Sequence, residues 1–264
     1  MKTIRTVLLL CCCFPALALA VQQYSFRVID QKPLPRNNWV QGLEIVDDYL
    51  YVGTGKYDES HLLRYRFSDG ELEAAQKLNR RIYGEGLTVF GDRIYQLTYR
   101  NRMLLVFNRA NLKPLEWHPI PGEGWGMTHN GKELIYSDGS DRLHFIAPAT
   151  HEITRSIKVR EQGKAVFKLN ELEWIDGKIW ANIWMTDYIV VIDPDSGEVS
   201  ARIDLQGLLP AEDYTSYSSL LNGIARNPAD GSIWVTGKYW PWLYRIELTP
   251  SAQPKETPHD GISR

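Results

Sequence analysis

Five segments open alike: Gln41-Gly42-Leu43, Glu85-Gly86-Leu87, Trp125-Gly126-Met127, Asn170-Glu171-Leu172 and Asn222-Gly223-Ile224. They start 44, 40, 45 and 52 residues apart, close to the roughly 40–50 residues of one propeller blade. A turn signal follows each opening: Asp47-Asp48, Gly91-Asp92, Asn130-Gly131, Asp176-Gly177 and Asp230-Gly231. Gly, Asn and Asp tolerate the positive φ that hairpin turns require. Second strand-like stretches come next, Tyr49 to Gly53, Arg93 to Leu97, Glu133 to Ser137, Lys178 to Asn182 and Ser232 to Thr236, and third strands such as Leu104 to Phe107 and Ile189 to Asp193 follow them.

Outer hairpins are signalled by Ser68-Asp69-Gly70, Asn108 to Asn111, Pro148-Ala149-Thr150 and Asp193-Pro194-Asp195-Ser196-Gly197. The last of these looks like a calcium loop but lacks the bidentate Glu at the required offset, so it reads as a turn. The fifth unit stops after three strands, at about Glu247, while Tyr24 to Ile29 is a strand-like stretch left over at the start. Pairing these two ends closes a ring and limits exposed edges. The expected fold is therefore an all-β, five-bladed β-propeller with ring closure by an N-terminal strand joining the last blade. A β-sandwich or barrel explains neither the five matching openings nor the orphan strand.

Lys2 and Arg5 precede an apolar run from Val7 to Leu17 that ends in Ala18-Leu19-Ala20, the pattern of a secretory signal with an A-x-A cleavage site. The run is too short to cross a bilayer, and small residues do not precede its cysteines as a lipoprotein signal would need. The expected organisation is a signal peptide over 1–20, a propeller over 21–249 and a mobile tail over 250–264. Periplasmic or secreted placement follows, with no membrane anchor after cleavage. All three cysteines, Cys11, Cys12 and Cys13, lie in the signal, so disulfides and thiol chemistry are not expected in the mature chain. Removing Lys2 and Arg5 leaves 28 basic against 32 acidic residues, with no basic cluster that would point to nucleic acid.

In a propeller the first strand of each blade lines the channel, so Gln41, Glu85, Trp125, Asn170 and Asn222 should form one ring. The second strands end in Thr54-Gly55, Thr98-Tyr99, Ser137-Asp138-Gly139, Asn182-Ile183-Trp184 and Thr236-Gly237-Lys238, which approach the same mouth. One carboxylate, several amides, a lysine and aromatic rings would thus converge on one cavity. Each has a bland reading too: Glu85 as a channel acid satisfied by backbone amides, Asn170 and Asn222 as ties between blades, Lys238 as a rim cation, and Trp125 and Trp184 as packing. The six histidines show no H-E-x-x-H spacing, and the chain has no G-x-S-x-G, P-loop or G-x-G-x-x-G.

The stretches Gln41-Gly42-Leu43, Gly84-Glu85-Gly86-Leu87-Thr88, Glu123-Gly124-Trp125-Gly126, Ser137-Asp138-Gly139-Ser140, Leu169-Asn170-Glu171-Leu172-Glu173, Ala181-Asn182-Ile183-Trp184, Leu221-Asn222-Gly223-Ile224-Ala225 and Val235-Thr236-Gly237-Lys238-Tyr239-Trp240-Pro241 together resemble the plant and bacterial glutamine cyclotransferase (glutaminyl-peptide cyclotransferase) family. The resemblance spans nearly the whole chain after residue 20. It implies a five-bladed propeller that converts N-terminal glutamine of peptides or proteins to pyroglutamate with release of ammonia.

By the same resemblance, Glu85 is the acid/base, and Gln41, Trp125, Asn170, Trp184 and Lys238 are pocket residues. Two departures stand out: Leu97-Thr98-Tyr99 places Tyr99 where the family has a tryptophan, and Val40 stands where it usually has threonine. The chemistry needs no cofactor, and the family resemblance allows a structural calcium in the channel. The chain is expected to act as a monomer on glutamine-capped peptides. The competing reading is a non-catalytic periplasmic propeller that binds peptides or serves as a scaffold. A propeller lactonase using a channel calcium would demand several channel carboxylates, whereas only Glu85 clearly occupies the first-strand ring.

Overall fold

A computed structural model describes residues 20–215 and 220–251. The expected tail beyond Ser251 and the expected signal, Ala20 apart, lie outside the described residues. The described chain is β-structure throughout except for one short 3-10 turn at Ala211–Asp213, and none of its helices is long and apolar enough to cross a membrane.

After β1 (Gln22–Pro33), the strands β2 (Val40–Val46), β3 (Tyr49–Thr54), β4 (His61–Arg66) and β5 (Leu72–Lys77) form one antiparallel sheet in that order. A second sheet repeats the pattern with β6 (Gly84–Phe90), β7 (Arg93–Thr98), β8 (Met103–Asn108) and β9 (Pro114–Pro119). A third does so with β10 (Met127–His129), β11 (Leu134–Ser137), β12 (Arg142–Ile146) and β13 (Ile153–Lys158). A small hairpin that the sequence pattern did not announce, β14 (Arg160–Glu161) with β15 (Lys164–Ala165), precedes the last strands. These are β16 (Leu169–Ile175), β17 (Lys178–Ile183), β18 (Tyr188–Ile192), β19 (Val199–Asp204), β20 (Leu221–Arg226), β21 (Ile233–Gly237) and β22 (Trp242–Pro250).

The last two groups join into one sheet ordered β16-β17-β18-β19-β1-β22-β21-β20. The joint is β1, which pairs antiparallel along β22 and also parallel with β19 through Gln22 to Tyr24 against Ala201 to Ile203. It is longer than the stretch from Tyr24 to Ile29 singled out in the sequence, and β22 runs past Glu247 to Pro250 because Tyr24 pairs with Pro250. Two long ends zipped together leave neither edge open to a foreign strand. The turn at Asp193 is a hairpin turn, with Asp193 Oδ1 accepting from the amides of Asp195 and Ser196 at 3.1 and 2.9 Å.

First strands neighbour one another in turn: β2 with β6, β6 with β10, β10 with β16, β16 with β20, and β20 with β2. They are covered on both faces, as β2 and β6 show by being buried over six consecutive residues. Outer strands such as β5 and β9 are largely exposed. Apolar side chains of adjoining sheets interlock between them, for example Tyr51 and Leu62 with Leu87, Val89 and Ile94, and Tyr95 and Val106 with Met127 and Tyr136.

The repeat glycines permit that close approach. A Cβ on Gly42 would come within 2.5 Å of the Leu87 amide nitrogen, and one on Gly126 within 1.9 Å of the Asn170 carbonyl oxygen. Both neighbours are backbone, which cannot swing aside as a flexible side chain can. The result is an all-β, propeller-like fold.

Candidate functional site

Four of the five ring residues sit at irregularities of their first strands. Register shifts fall between Val40 and Gly42, Gly84 and Leu87, Leu169 and Leu172, and Leu221 and Ile224. Gln41, Glu85, Asn170 and Asn222 lie in these gaps, and such bulges re-aim side chains. All four are buried. Trp125 lies just before β10 and is half-buried.

Glu85 is 4% exposed and Lys238 3% exposed. Burial pushes the Glu85 carboxyl well above the usual carboxylate range, the Lys238 charge and a hydrogen bond with Gln41 pull it down, and the Glu123 charge pushes it up. Lys238 is itself lowered to about 8 by burial, with Glu85 opposing. Its Nζ stands 5.0 Å from the centre of the Trp39 ring, a cation over an aromatic face. Asn222 holds the ring partner in place: its Nδ2 donates to the Val40 carbonyl at 3.0 Å and to Gln41 Oε1 at 3.3 Å.

A second group forms the aromatic side. Trp125 and Trp184 meet edge to face with centroids 5.5 Å apart, and Lys168 Nζ lies 5.8 Å from the Trp184 ring. Tyr99 leans on Tyr83 at 5.7 Å, and Tyr83 on Tyr57 at 5.4 Å. Burial, then the nearby Glu85 charge, pushes the Tyr83 hydroxyl up. Glu123 links the two groups, because its charge acts on Glu85 and its Oε2 accepts from Trp125 Nε1 at 3.2 Å. Asn170 Oδ1 is buried without a hydrogen-bond partner, an acceptor facing an environment that costs free energy unless a ligand or water supplies a donor.

Trp39, Tyr83, Glu123 and Tyr239, whose ring meets that of Trp39 edge to face at 5.1 Å, are not among the residues that the repeat predicts. A signal for three of them exists: Trp39, Tyr83 and Glu123 stand two residues before Gln41, Glu85 and Trp125. Each stands in the stretch that leads into its first strand.

Buried first-strand acids are more numerous than the single one, Glu85, that the repeat openings predict. Glu44, Glu171 and Glu173, on β2 and β16, are also buried, and burial pushes all three carboxyls up. Each is tied to a neighbouring first strand: Glu44 Oε2 accepts from the Val89 amide at 2.6 Å and Glu173 Oε1 from the Arg226 amide at 2.8 Å. Glu171 stands where other repeats have glycine and accepts from both Leu43 at 3.2 Å and Ile224 at 2.8 Å. The repeat reading missed them because it followed the opening residue of each unit and not those further down the strand. Their backbone partners give them a structural task and lend no weight to lactonase chemistry.

The family model of glutamine cyclotransferases matches residues 4–248. A glutaminyl-peptide cyclotransferase of Arabidopsis thaliana is 34% identical over 230 residues, covering 85% of this chain and 71% of the relative. Among solved structures, the glutaminyl cyclase of Myxococcus xanthus superposes with a TM-score of 0.81 at 29% identity, covering 88% of this chain and 99% of that one.

Proposed function

The chain belongs to the glutamine cyclotransferase family, and from that premise we propose how its channel mouth works. The protein is a glutaminyl-peptide cyclotransferase: it closes an N-terminal glutaminyl residue to pyroglutamate and releases ammonia. In the reaction the α-amine nitrogen attacks the γ-amide carbon. One C–N bond forms, the bond to the amide nitrogen breaks, and the proton lost by the amine must reach the departing nitrogen, since amide ion is too basic to leave.

Glu85 is the group that carries that proton. The supporting observation is its burial in a strand irregularity beside Lys238 and Gln41, where a carboxyl raised well above its usual range can serve as both acid and base. Lys238 and the amides of Gln41 and Asn170 hold the substrate and the developing oxyanion. Trp125, Trp184 and Tyr99 wall the pocket and favour the curled glutamine conformer. Ammonia release from a glutaminyl dipeptide tests the assignment. A purified chain that bound such peptides without releasing ammonia would be a binding propeller instead.

The architecture is five blades, one for each first strand, closed by β1 completing the last blade; the β1–β22 pairing supports that count. No cofactor enters the chemistry. The resemblance allows a structural calcium in the channel, but Glu44, Glu171 and Glu173 do not bring one oxygen each within 4.8 Å of the other two and already accept from backbone amides, so these residues do not fit one. Calcium added to chelator-treated protein should therefore leave both Tm and turnover unchanged. The signal pattern over residues 2–20 supports export to the periplasm or beyond, to be checked by fractionation; the expected monomeric state is checked by light scattering.

A further inference from the structure

Away from the channel mouth, three residues with metal-binding chemistry converge. Glu116 and His118 project from one face of β9, two residues apart. His151 comes from the turn between β12 and β13 of the next sheet, where its φ of 59° closes the backbone onto the Ala147 carbonyl. The two imidazoles stack with centroids 3.7 Å apart at 20°. One donor atom of each residue lies within 4.8 Å of the other two.

We propose that Glu116, His118 and His151 form a binding site for one divalent transition-metal ion of the zinc, copper and nickel class, which clamps the outer strand β9 to the neighbouring outer hairpin. Two imidazole nitrogens and one carboxylate oxygen are the donor set that suits these ions and not calcium or magnesium. Donors about 2.0–2.2 Å from a tetrahedral ion lie roughly 3.3–3.6 Å apart, so binding needs about an ångström of contraction and a turn of the stacked rings that lets their in-plane lone pairs converge.

The nitrogens are free for the task. His118 Nε2 and His151 Nε2 are buried and have no hydrogen-bond partner, a costly state for an imidazole nitrogen. Glu116 is already oriented: its Oε1 accepts from Arg93 Nη1 at 2.5 Å, which leaves Oε2 turned to His118 Nε2 at 3.5 Å. An outer partner that fixes a ligating carboxylate is the usual arrangement around bound metal. The three residues line an open cleft of about 700 Å³ together with Tyr95 and Thr150, so a fourth coordination position is reachable from solvent.

This site is separate from the pocket of Glu85. Phe90, Gly91 and Asp92 of the same cleft lie at the far end of β6 and its turn, five residues or about 17 Å down the strand from Glu85. The proposal therefore does not rest on the cyclotransferase reading, and activity serves as a check of folding.

The test is calorimetric titration of zinc chloride into the chelator-treated mature protein, without the signal over 1–20 and its zinc-binding thiols Cys11, Cys12 and Cys13. One equivalent should bind, and His151→Ala and Glu116→Gln should each weaken binding at least about 10-fold, while His61→Ala, outside the cluster, should not. At zinc about 100 times its Kd, Tm should rise by about 5–10 °C in the unaltered protein and not in His151→Ala. Ammonia release should be the same in all variants. Absence of stoichiometric zinc binding, or variants that bind zinc as the unaltered chain does, would overturn the site. Loss of ammonia release in His151→Ala would mean misfolding, and Glu116→Gln would then decide.

Discussion

Glu85 and Lys238 are buried together and act on each other in opposite senses: the ammonium draws the carboxyl down while the carboxyl draws the ammonium up. Burial drives both the other way and is the larger effect. Burial thus raises the carboxyl and lowers the ammonium, which brings the two titrations closer together and suits the carboxyl to act as both acid and base.

Glu85→Gln keeps the shape and the hydrogen-bonding capacity of the buried group but removes the proton it exchanges. Turnover of a glutaminyl dipeptide should fall by about 10²–10⁴-fold, with Tm and peptide affinity little changed. Ordinary ammonia release from this variant would remove Glu85 from the mechanism.

Lys238→Met tests the coupling through pH. Loss of the neighbouring positive charge disfavours the carboxylate, so the Glu85 pKa rises further and the acid limb of kcat/KM against pH must move to higher pH. In the unaltered protein the alkaline limb should fall near pH 8, as Lys238 loses its proton at about 8. An acid limb that stays in place in Lys238→Met would show that the two groups do not communicate.

Tyr99 packs on Tyr83 at 5.7 Å and carries Arg100 over its ring at 5.1 Å. Removing an aromatic partner costs about 0.5–1.5 kcal/mol, so Tyr99→Ala should raise KM about 2- to 10-fold with a smaller change in kcat. Steady-state kinetics separate the two, and a change confined to kcat would place Tyr99 elsewhere than in the substrate wall.

Gly126→Ala places a methyl carbon 1.9 Å from the Asn170 carbonyl oxygen. The first strands must separate, at about 3 kcal/mol or more, which lowers Tm by about 6–12 °C for a domain of this size. Gly131→Ala meets nothing within 4 Å at a φ of 83° and should cost only about 1 kcal/mol. Equal melting temperatures for the two would deny the close strand approach.

The repeated openings and their Gly, Asn and Asp turns were legible because strand alternation and turn φ are local properties, carried by residues adjacent in the chain. From them followed the strand order within each sheet and the placing of Gln41, Glu85, Asn170 and Asn222 on equivalent first-strand positions; the resemblance added their chemistry. The residues two steps earlier, Trp39, Tyr83 and Glu123, were legible in principle as one recurring position ahead of three of the openings.

Tertiary structure alone decided the rest. Glu171, standing in a glycine position, accepts backbone donors from two other first strands, and β1 welds two groups of strands by pairing with β19 as well as β22. His118 and His151 stack although 33 residues separate them. Such contacts depend on how whole sheets pack around the axis, and the free energy that selects them comes from burial between sheets, which no window of neighbouring residues contains.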